Sequence, residues 1–150
     1  SKLMRYLLYE SEHGETMMSR EIDFMNNYID LMKLRVSQKV ELDVDFPKNF
    51  ADFAIAPLLF IPFVENAFKH GLSYREKSYI TLRMTIDQEQ IHFIAENSLG
   101  KGSSTEEKQH SGIGLENIKK RLSLLYPALH ELRINKTDEC FMVNLCIRKK

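Results

Sequence analysis

The chain has 150 residues, of which 43% are hydrophobic, and this is enough for one sizeable core. It carries 21 acidic and 21 basic residues, so its formal net charge is zero. This balance gives no electrostatic basis for binding nucleic acid, and we expect no nucleic-acid partner. The longest apolar run, residues 54–64, is too short and too interrupted by proline to cross a bilayer.

The N-terminal part of the chain is predicted to be helical. Residues 1–12 favour a helix that His13-Gly14 ends, and Ser19 is the predicted N-cap of a second helix. Apolar residues recur along this second helix every three or four positions: Ile22, Met25, Ile29, Met32 and Val36. The spacing is typical of a helix packed on its own domain or of one pairing with another helix, and both alternatives stay open.

Alternating apolar and polar residues predict five strands further along the chain. They are residues 40–46, 78–86, 91–97, 131–136 and 140–147. The last four form two hairpins, and helices are predicted around residues 57–71 and from residue 112 to Tyr126. Strand pairs separated by helices predict an α+β fold. We expect a two-layer α/β sandwich, with a mostly antiparallel sheet and helices on one face, preceded by N-terminal helices.

The segment PFVENAFKHG, residues 62–71, is the first candidate site. As a helix it would turn four apolar residues to the core, namely Phe60, Val64, Ala67 and Phe68. Asn66, Lys69 and His70 would share a neighbouring face. An amide oxygen suits Mg²⁺, a lysine suits phosphate oxygens, and the imidazole could donate to a phosphate or a sugar. The alternative is an exposed polar stripe with an ion pair between Glu65 and Lys69.

The ends of this helix have sequence signals of their own. The helix either begins near Pro57 and kinks at Pro62, or begins at Pro62 itself. Gly71 is predicted to end it.

Asn97 is a second candidate, because it continues the apolar face of the strand formed by Ile91, Phe93 and Ala95. Burying an unpaired amide there would cost about 1–3 kcal/mol. The edge of a ligand could satisfy the amide, and so could the backbone.

The third candidate is the run HSGIGL, residues 110–115. Gly112 and Gly114 would leave backbone N–H groups uncovered at the predicted start of a helix, an arrangement that favours anions. An ordinary helix cap has the same signature. The polar segment 98–111 before this helix is predicted to be a loop.

In this order, the motifs resemble the ATP-binding domain of the GHKL superfamily, which has the Bergerat fold. PFVENAFKHG followed by GIGLENIKKRLSLLY resembles the C-terminal part of the LytS/YehU-type sensor histidine kinases. RYLLYES and SREIDFMNNYIDLMKLR are similar to the segment that precedes the ATP-binding domain in that subfamily. The resemblance implies that residues 1–38 are the remnant of a helical dimerisation and phosphotransfer region, and that residues 39–150 are the ATP-binding domain.

The resemblance also implies roles for individual residues. Asn66 would be the Mg²⁺ ligand, and Lys69 and His70 would approach the phosphates of ATP. Asn97 stands where the family usually has an aspartate that recognises the adenine amino group, and an amide oxygen can still accept from that group. The second glycine box would be formed by Gly112, Ile113, Gly114 and Leu115, with the leucine packing behind it. Residues 98–111 would be the ATP lid.

Two departures from the family pattern bear on activity. The glycines that normally follow the aspartate are absent, since Ser98-Leu99 follows Asn97. Pro62 stands where gyrase-type ATPases carry a general-base glutamate, so we expect negligible ATP hydrolysis.

The resemblance implies a protein histidine kinase that binds Mg-ATP and donates the γ-phosphate to a histidine outside this sequence. No histidine here has the Pro-His-Phe context of the subfamily's acceptor, so the chain is not expected to autophosphorylate alone. The implied partners are a response regulator and a second copy in the intact protein. The implied location is the cytoplasmic side of a membrane-attached bacterial sensor. The alternatives are a gyrase- or MutL-type ATPase, and a degenerate kinase that acts as a non-enzymatic dimerisation or interaction module.

Overall fold

The computed structural model describes residues 14–71, 77–100 and 105–150, and for residues 105–113 it describes the backbone alone. The helix predicted over residues 1–12 lies outside the described residues, as does His13. No helix in the described ranges is long and apolar enough to cross a membrane.

Seven strands and three helices make up the described chain. In order they are β1 (Thr16–Met17), α1 (Met18–Lys33), β2 (Val40–Asp45), β3 (Ala54–Ile55), α2 (Ile61–Gly71), β4 (Ser78–Ile86), β5 (Gln90–Ser98), α3 (Thr105–Leu125), β6 (His130–Lys136) and β7 (Cys140–Arg148). Five strands form one sheet in the order β2-β4-β5-β7-β6, while β1 and β3 pair separately. Only β2 runs parallel to its neighbour in the large sheet. The predicted α+β architecture with a mostly antiparallel sheet is confirmed.

One face of the large sheet carries the core, because the strand register aligns its buried residues. Leu82 lies opposite Ala95, and Phe93 lies opposite Leu145. All four side chains are buried. The helices cover this face, as predicted, and the other face meets solvent.

Phe93 is the centre of the contact between the sheet and the segment that leads into α2. Its ring centroid lies 5.3 Å from that of Phe60, 6.3 Å from that of Phe63 and 6.5 Å from that of Phe46. Such edge-on and tilted pairs add about 0.5–1.5 kcal/mol each to the burial of apolar surface. The position of α2 on the sheet is therefore set by close aromatic packing.

Helix α1 packs on its own domain, as the first of the two alternatives for its heptad-like spacing predicts, and pairing with a second copy stays a prediction. Ile22, Met25 and Ile29 are buried in the common core, and Met32 packs against its edge. Val36 also packs there, beyond the end of the helix. The division of the chain at residue 38 stays a prediction, although α1 contributes to the core of the fold.

The prediction that Ser19 caps α1 was wrong. The helix begins at Met18, and the capping position is occupied by Met17, which makes no side-chain cap bond. Ser19 lies in the first turn, where its backbone N–H donates to Asp52 Oδ1 at 3.0 Å and its hydroxyl donates to the other carboxylate oxygen. The first turn is thus capped by a residue 33 positions away, which local sequence rules cannot detect.

The predicted start of α3 was also wrong. The helix begins at Thr105, seven residues before Gly112, so residues 105–111 are helical and the two glycines lie within the helix. Glutamates 106 and 107 follow the threonine at a position where acidic side chains favour a helix N-terminus. Lysine and glutamine, both good helix formers, come next. These preferences outweigh the helix-breaking tendency of the glycines that follow.

Candidate functional site

Helix α2 presents the first candidate motif as expected. It begins at Ile61, so Pro62 lies in the first turn, where its missing N–H leaves no hydrogen bond unmade, and the alternative of a kinked longer helix is excluded. The four predicted core residues Phe60, Val64, Ala67 and Phe68 are all buried. Asn66 and His70 are half-buried and Lys69 is exposed, as the edge of an amphipathic helix requires.

Glu65 belongs to a different side of α2 from Asn66. Residues adjacent in a helix project about 100° apart. The negative charge of Glu65 acts on Tyr28 of α1, whose pKa is raised by burial first and by this charge second. Tyr28 also stacks edge-on against Phe68, with ring centroids 6.0 Å apart. Loss of solvent around the Glu65 carboxyl group raises its pKa in turn. Glu65 thus lies at the contact between α1 and α2.

The last turn of α2 lies directly against the sheet. A Cβ atom placed on Gly71 would lie 2.8 Å from Cγ1 of Ile80 and 3.0 Å from Cβ of Asn97, closer than ordinary packing allows. Gly71 is the last residue of α2 that the structure describes, and it does not adopt the left-handed conformation that usually favours glycine at a helix end. Its role is to permit this close approach.

Asn97 occupies the predicted inward-facing position at the end of β5. It lies between Ile80 of β4 and Phe141 of β7 in the register, and only 1% of its surface is exposed. Its Nδ2 donates to the carbonyl oxygen of Ser98 at 3.0 Å. The backbone therefore satisfies part of the buried amide, one of the two alternatives in the sequence. The contact with Gly71 brings Asn97 to the end of α2 that carries Lys69 and His70.

Helix α3 stands beside α2 and forms the second side of the site. Leu115 is buried together with Ile118, as the predicted packing of Leu115 behind the glycine box requires. Gly114 is exposed, and a Cβ atom placed on it would meet nothing within 4 Å. Gly112 and Ile113 lie in the same helix, in the part described by its backbone alone.

One polar residue behind the site was not recognised from the sequence. Glu21 lies in the first turn of α1, where an acidic residue ordinarily only favours the helix dipole, yet it is completely buried. Its Oε1 accepts a hydrogen bond from the backbone N–H of Leu58 at 2.9 Å. Leu58 has a φ of 61°, a left-handed conformation that costs a non-glycine residue on the order of 1–3 kcal/mol. A buried carboxylate therefore supports a strained turn just before α2.

A cavity of about 290 Å³ lies apart from these residues. It is bounded by residues 14–15, 53–56, 125–126 and 149–150. None of the candidate site residues lines it, so the site rests on the chemistry of α2, β5 and α3 rather than on the size of a cavity.

Comparisons with known sequences find similarity to histidine kinases. A family model described as histidine kinase matches residues 1–40. The sensor protein kinase HptS of Staphylococcus aureus strain USA300 is 26% identical over 105 residues, which are 69% of this chain and 20% of the relative. The matched region thus spans about a fifth of the curated relative.

Solved structures of histidine kinases share the fold at low sequence identity. The nucleotide-free catalytic domain of ThkA superposes with a TM-score of 0.60 at 14% identity, covering 90% of this chain and 94% of that one. Acinetobacter baumannii AdeS superposes with a TM-score of 0.60 at 11% identity, covering 97% and 74%. The fold of this chain is that of the histidine kinase catalytic domains, and its sequence is similar to those of sensor kinases of two-component signalling. The expected GHKL-type architecture is confirmed.

Proposed function

We propose that this chain is the ATP-binding part of a LytS/YehU-type sensor histidine kinase, which binds Mg-ATP and positions its γ-phosphate for transfer. The observation that carries the proposal is the contact between Gly71 and Asn97. It joins the adenine-recognition position on β5 to the helix that carries Asn66, Lys69 and His70. Two motifs that the resemblance assigns to the two ends of one nucleotide are thereby adjacent in space.

The adenine end of the nucleotide would lie at Asn97. One N–H of its amide already donates to Ser98, which holds the side chain in one orientation. The amide retains an acceptor oxygen, the group that an adenine amino group requires. An acceptor would disfavour guanine, which presents an oxygen at the corresponding position. The substitution of Asn for Asp is therefore compatible with adenine, but it lacks the stronger hydrogen bond that a charged carboxylate would make.

The phosphate end would lie between α2 and α3. Lys69 is exposed and can supply positive charge, and Gly114 has open space around its Cα atom through which a phosphate could approach the backbone. Because Gly114 lies inside α3, an anion would meet this helix from the side in the present arrangement. A contact with several free N–H groups would require the first turns of α3 to open.

Magnesium fits a site with few protein ligands. No group of three or more histidine, cysteine or acidic side chains is placed to hold a metal among the described residues. Asn66 offers an amide oxygen on the half-buried edge of α2. Mg²⁺ commonly binds through one or two protein oxygens together with waters and the phosphates of its nucleotide. Bound there, the ion would neutralise charge on the phosphates, and Asn66 would orient it.

Chemistry at this site would be phosphoryl transfer rather than hydrolysis. Pro62 lies one turn before Asn66 and cannot activate water, while Glu65 faces α1. The chain would hold the nucleotide in place, and the acceptor would be a histidine outside this sequence. In the intact protein we propose a homodimer, a response regulator as partner, and a cytoplasmic position for this part of a membrane-attached sensor.

A degenerate kinase domain that acts only as an interaction module is the second candidate. The hydrogen bond from Asn97 to Ser98 favours it, because the buried amide is partly satisfied without any ligand. In that case the fold would be retained as a scaffold, and nucleotide binding would be absent.

Calorimetric titration with a non-hydrolysable ATP analogue, with and without Mg²⁺, separates the two candidates. We expect saturable binding that needs Mg²⁺ and weakens at least tenfold, or about 1.4 kcal/mol, in Asn66→Ala. Asn26→Ala, an exposed asparagine of α1, is the matched control and should bind like the parent. A GTP analogue should bind more weakly. Absence of heat at millimolar ATP analogue in the parent chain would contradict the kinase proposal and support the interaction module.

A further inference from the structure

Glu21 occupies a position that connects three parts of the fold. It lies on α1, it is completely buried, and its Oε1 accepts from Leu58 N–H at 2.9 Å. Leu58 belongs to the short segment between β3 and α2, three residues before α2 begins. The two residues that follow it, Leu59 and Phe60, are completely buried. The left-handed turn at Leu58 therefore sets where α2 starts. Because the next two residues are buried, the turn cannot change without moving core side chains.

The C-terminal half of α3 meets the same place. The half-buried guanidinium of Arg121 has its pKa lowered by desolvation, and the negative charge of Glu21 opposes that shift. The charge of Glu21 therefore acts on the guanidinium of Arg121. One turn further along the chain, the hydroxyl of Tyr126 accepts a hydrogen bond from the backbone N–H of Ala56 at 3.0 Å. The segment before α2 is thus held by Glu21 of α1 and by Tyr126, the residue that follows α3.

Glu21 affects two different helices, one through its hydrogen bond and the other through its charge. The hydrogen bond to Leu58 reaches the start of α2, and the charge reaches Arg121 on α3. A buried carboxylate needs partners of both kinds, since an unpaired buried charge is strongly unfavourable. The hydrogen bond to Leu58 and the electrostatic effect on Arg121 therefore both originate from one side chain of α1.

We propose that Glu21 is a positioning residue that transmits displacements of α1 to both helices bordering the candidate nucleotide site. Its link to nucleotide binding rests on the proposed function, whereas its link to α2 and α3 does not. A shift of α1 would move the turn at Leu58, and with it the start of the helix that carries Asn66. The same shift would change the environment of Arg121 in the helix that carries Gly114.

Two conservative substitutions separate the two contacts. Glu21→Gln keeps an oxygen that can accept from Leu58 but removes the charge facing Arg121. Glu21→Asp keeps the charge but withdraws the carboxylate by one methylene, so that it no longer reaches the Leu58 amide. Ile94→Ala on β5 is the control, because its side chain lies on the sheet face opposite the buried Phe93 and Ala95 and therefore away from the helices. Urea unfolding of each variant shows whether the losses of stability are comparable.

The first measurement uses backbone amide resonances in ¹H–¹⁵N spectra without nucleotide. We expect Glu21→Asp to shift the amides of residues 63–71 most, and Glu21→Gln to shift those of residues 115–125 most. The control should shift only amides of β5 and of its neighbours β4 and β7. Changes confined to Leu58 and its immediate neighbours would overturn the positioning role. If neither Glu21 variant folds, Arg121→Met replaces them and should shift the Leu58 amide and the amides of α2, and its failure to do so would overturn the proposal.

The second measurement is the affinity of the Mg²⁺-bound ATP analogue. Both Glu21 variants should bind it at least threefold more weakly than the parent chain, while Ile94→Ala should bind it as the parent does. If the parent binds no nucleotide but the α2 amides still move, the positioning role stands and the proposed function fails. If the parent binds nucleotide and the α2 and α3 amides stay fixed in the Glu21 variants, the proposed function stands and the positioning role fails.

Discussion

Gly71 and Gly114 lie on the two helices that border the candidate site, and their surroundings are opposite. Gly71 ends α2 in contact with Ile80 and Asn97, so close that a single added carbon atom would collide with both. Gly114 lies within α3 with open space beside it. Packing explains the first glycine completely. The fold gives no reason for the second, since a glycine within a helix is less stable than alanine by roughly 0.5–1 kcal/mol.

The two glycines show that the two sides of the candidate site are positioned in different ways. The α2 side is positioned by the core, because Phe63, Val64, Ala67 and Phe68 are all buried. On α3, where side chains are described from Gly114 onward, Leu115 is buried in the core immediately after this exposed glycine. A helix fixed by the core, such as α2, can hold contacts to a metal ion and to an adenine ring in constant positions. A glycine next to open space, such as Gly114 of α3, suits the approach of a phosphate. The predictions that follow test this contrast.

The largest effect is expected from Phe93→Ala, which removes the ring on which the start of α2 rests. We expect a loss of about 3–5 kcal/mol in the free energy of unfolding, measured by urea denaturation, because a large cavity would open among Phe46, Phe60 and Phe63. Leu124→Ala, at an exposed position of α3, is the control and should change stability little. A loss below about 1 kcal/mol in Phe93→Ala would contradict the view that the core positions α2.

A smaller loss is expected from Gly71→Ala. The added methyl group must displace Ile80 or Asn97, and such overpacking typically costs about 1–3 kcal/mol. Because the displacement separates α2 from Asn97, affinity for the ATP analogue should fall as well. Gly100→Ala is the matched control for stability, since a Cβ atom there meets nothing within 4 Å. Unchanged stability in Gly71→Ala would show that the helix end is not tightly seated.

Gly114→Ala should have the opposite effect on stability. We expect the free energy of unfolding to rise by about 0.5–1 kcal/mol, because alanine favours a helix and the new methyl group meets nothing. Affinity for the ATP analogue should fall if a phosphate approaches this position. Ser123→Ala, at an exposed position of the same helix, should leave affinity unchanged. A loss of stability in Gly114→Ala would show that the fold requires this glycine, as it requires Gly71.

The smallest effect concerns pH and Glu65, at the contact between α1 and α2. Its pKa in the folded state is raised above the ordinary 4.5, so just above that value the folded chain binds more protons than the unfolded chain. The free energy of unfolding should therefore fall as pH rises through this window. The slope should be smaller in Glu65→Gln, measured by urea denaturation at several pH values. Equal slopes in the two proteins would show that the Glu65 carboxyl group is fully solvated.

The sequence predicted those features that depend on neighbouring residues. The alternation of apolar residues located the five strands of the large sheet, and the spacing along α2 located its buried face. The positions that failed depend on contacts between distant residues. Asp52 caps α1 from 33 positions away, and the burial of Glu21 follows from a turn at Leu58. The start of α3 was predicted wrongly because Gly112 and Gly114 were interpreted as the beginning of the helix, whereas the helix formers before them extend it back to Thr105.

The candidate site shows the same limit. Asn66 and Asn97 were each recognised by residue type and position, but nothing in the sequence shows that Gly71 brings the end of α2 against β5. That contact depends on the register that aligns Ile80 with Asn97. A strand register of this kind follows from packing of the whole sheet, and the alternation within one strand does not determine it.

The parallel pairing of β2 with β4 has a consequence for how the domain folds. Val40 pairs with Ser78, so the β2–β4 ladder closes a long loop that includes α2. The chain between the two strands must be ordered before this ladder can form. The hairpins β4-β5 and β6-β7 close over short turns and carry a much smaller loss of chain entropy. We therefore expect the hairpins to form early in refolding and the crossover to close last. The proposed nucleotide site would then be the last part of the fold to form.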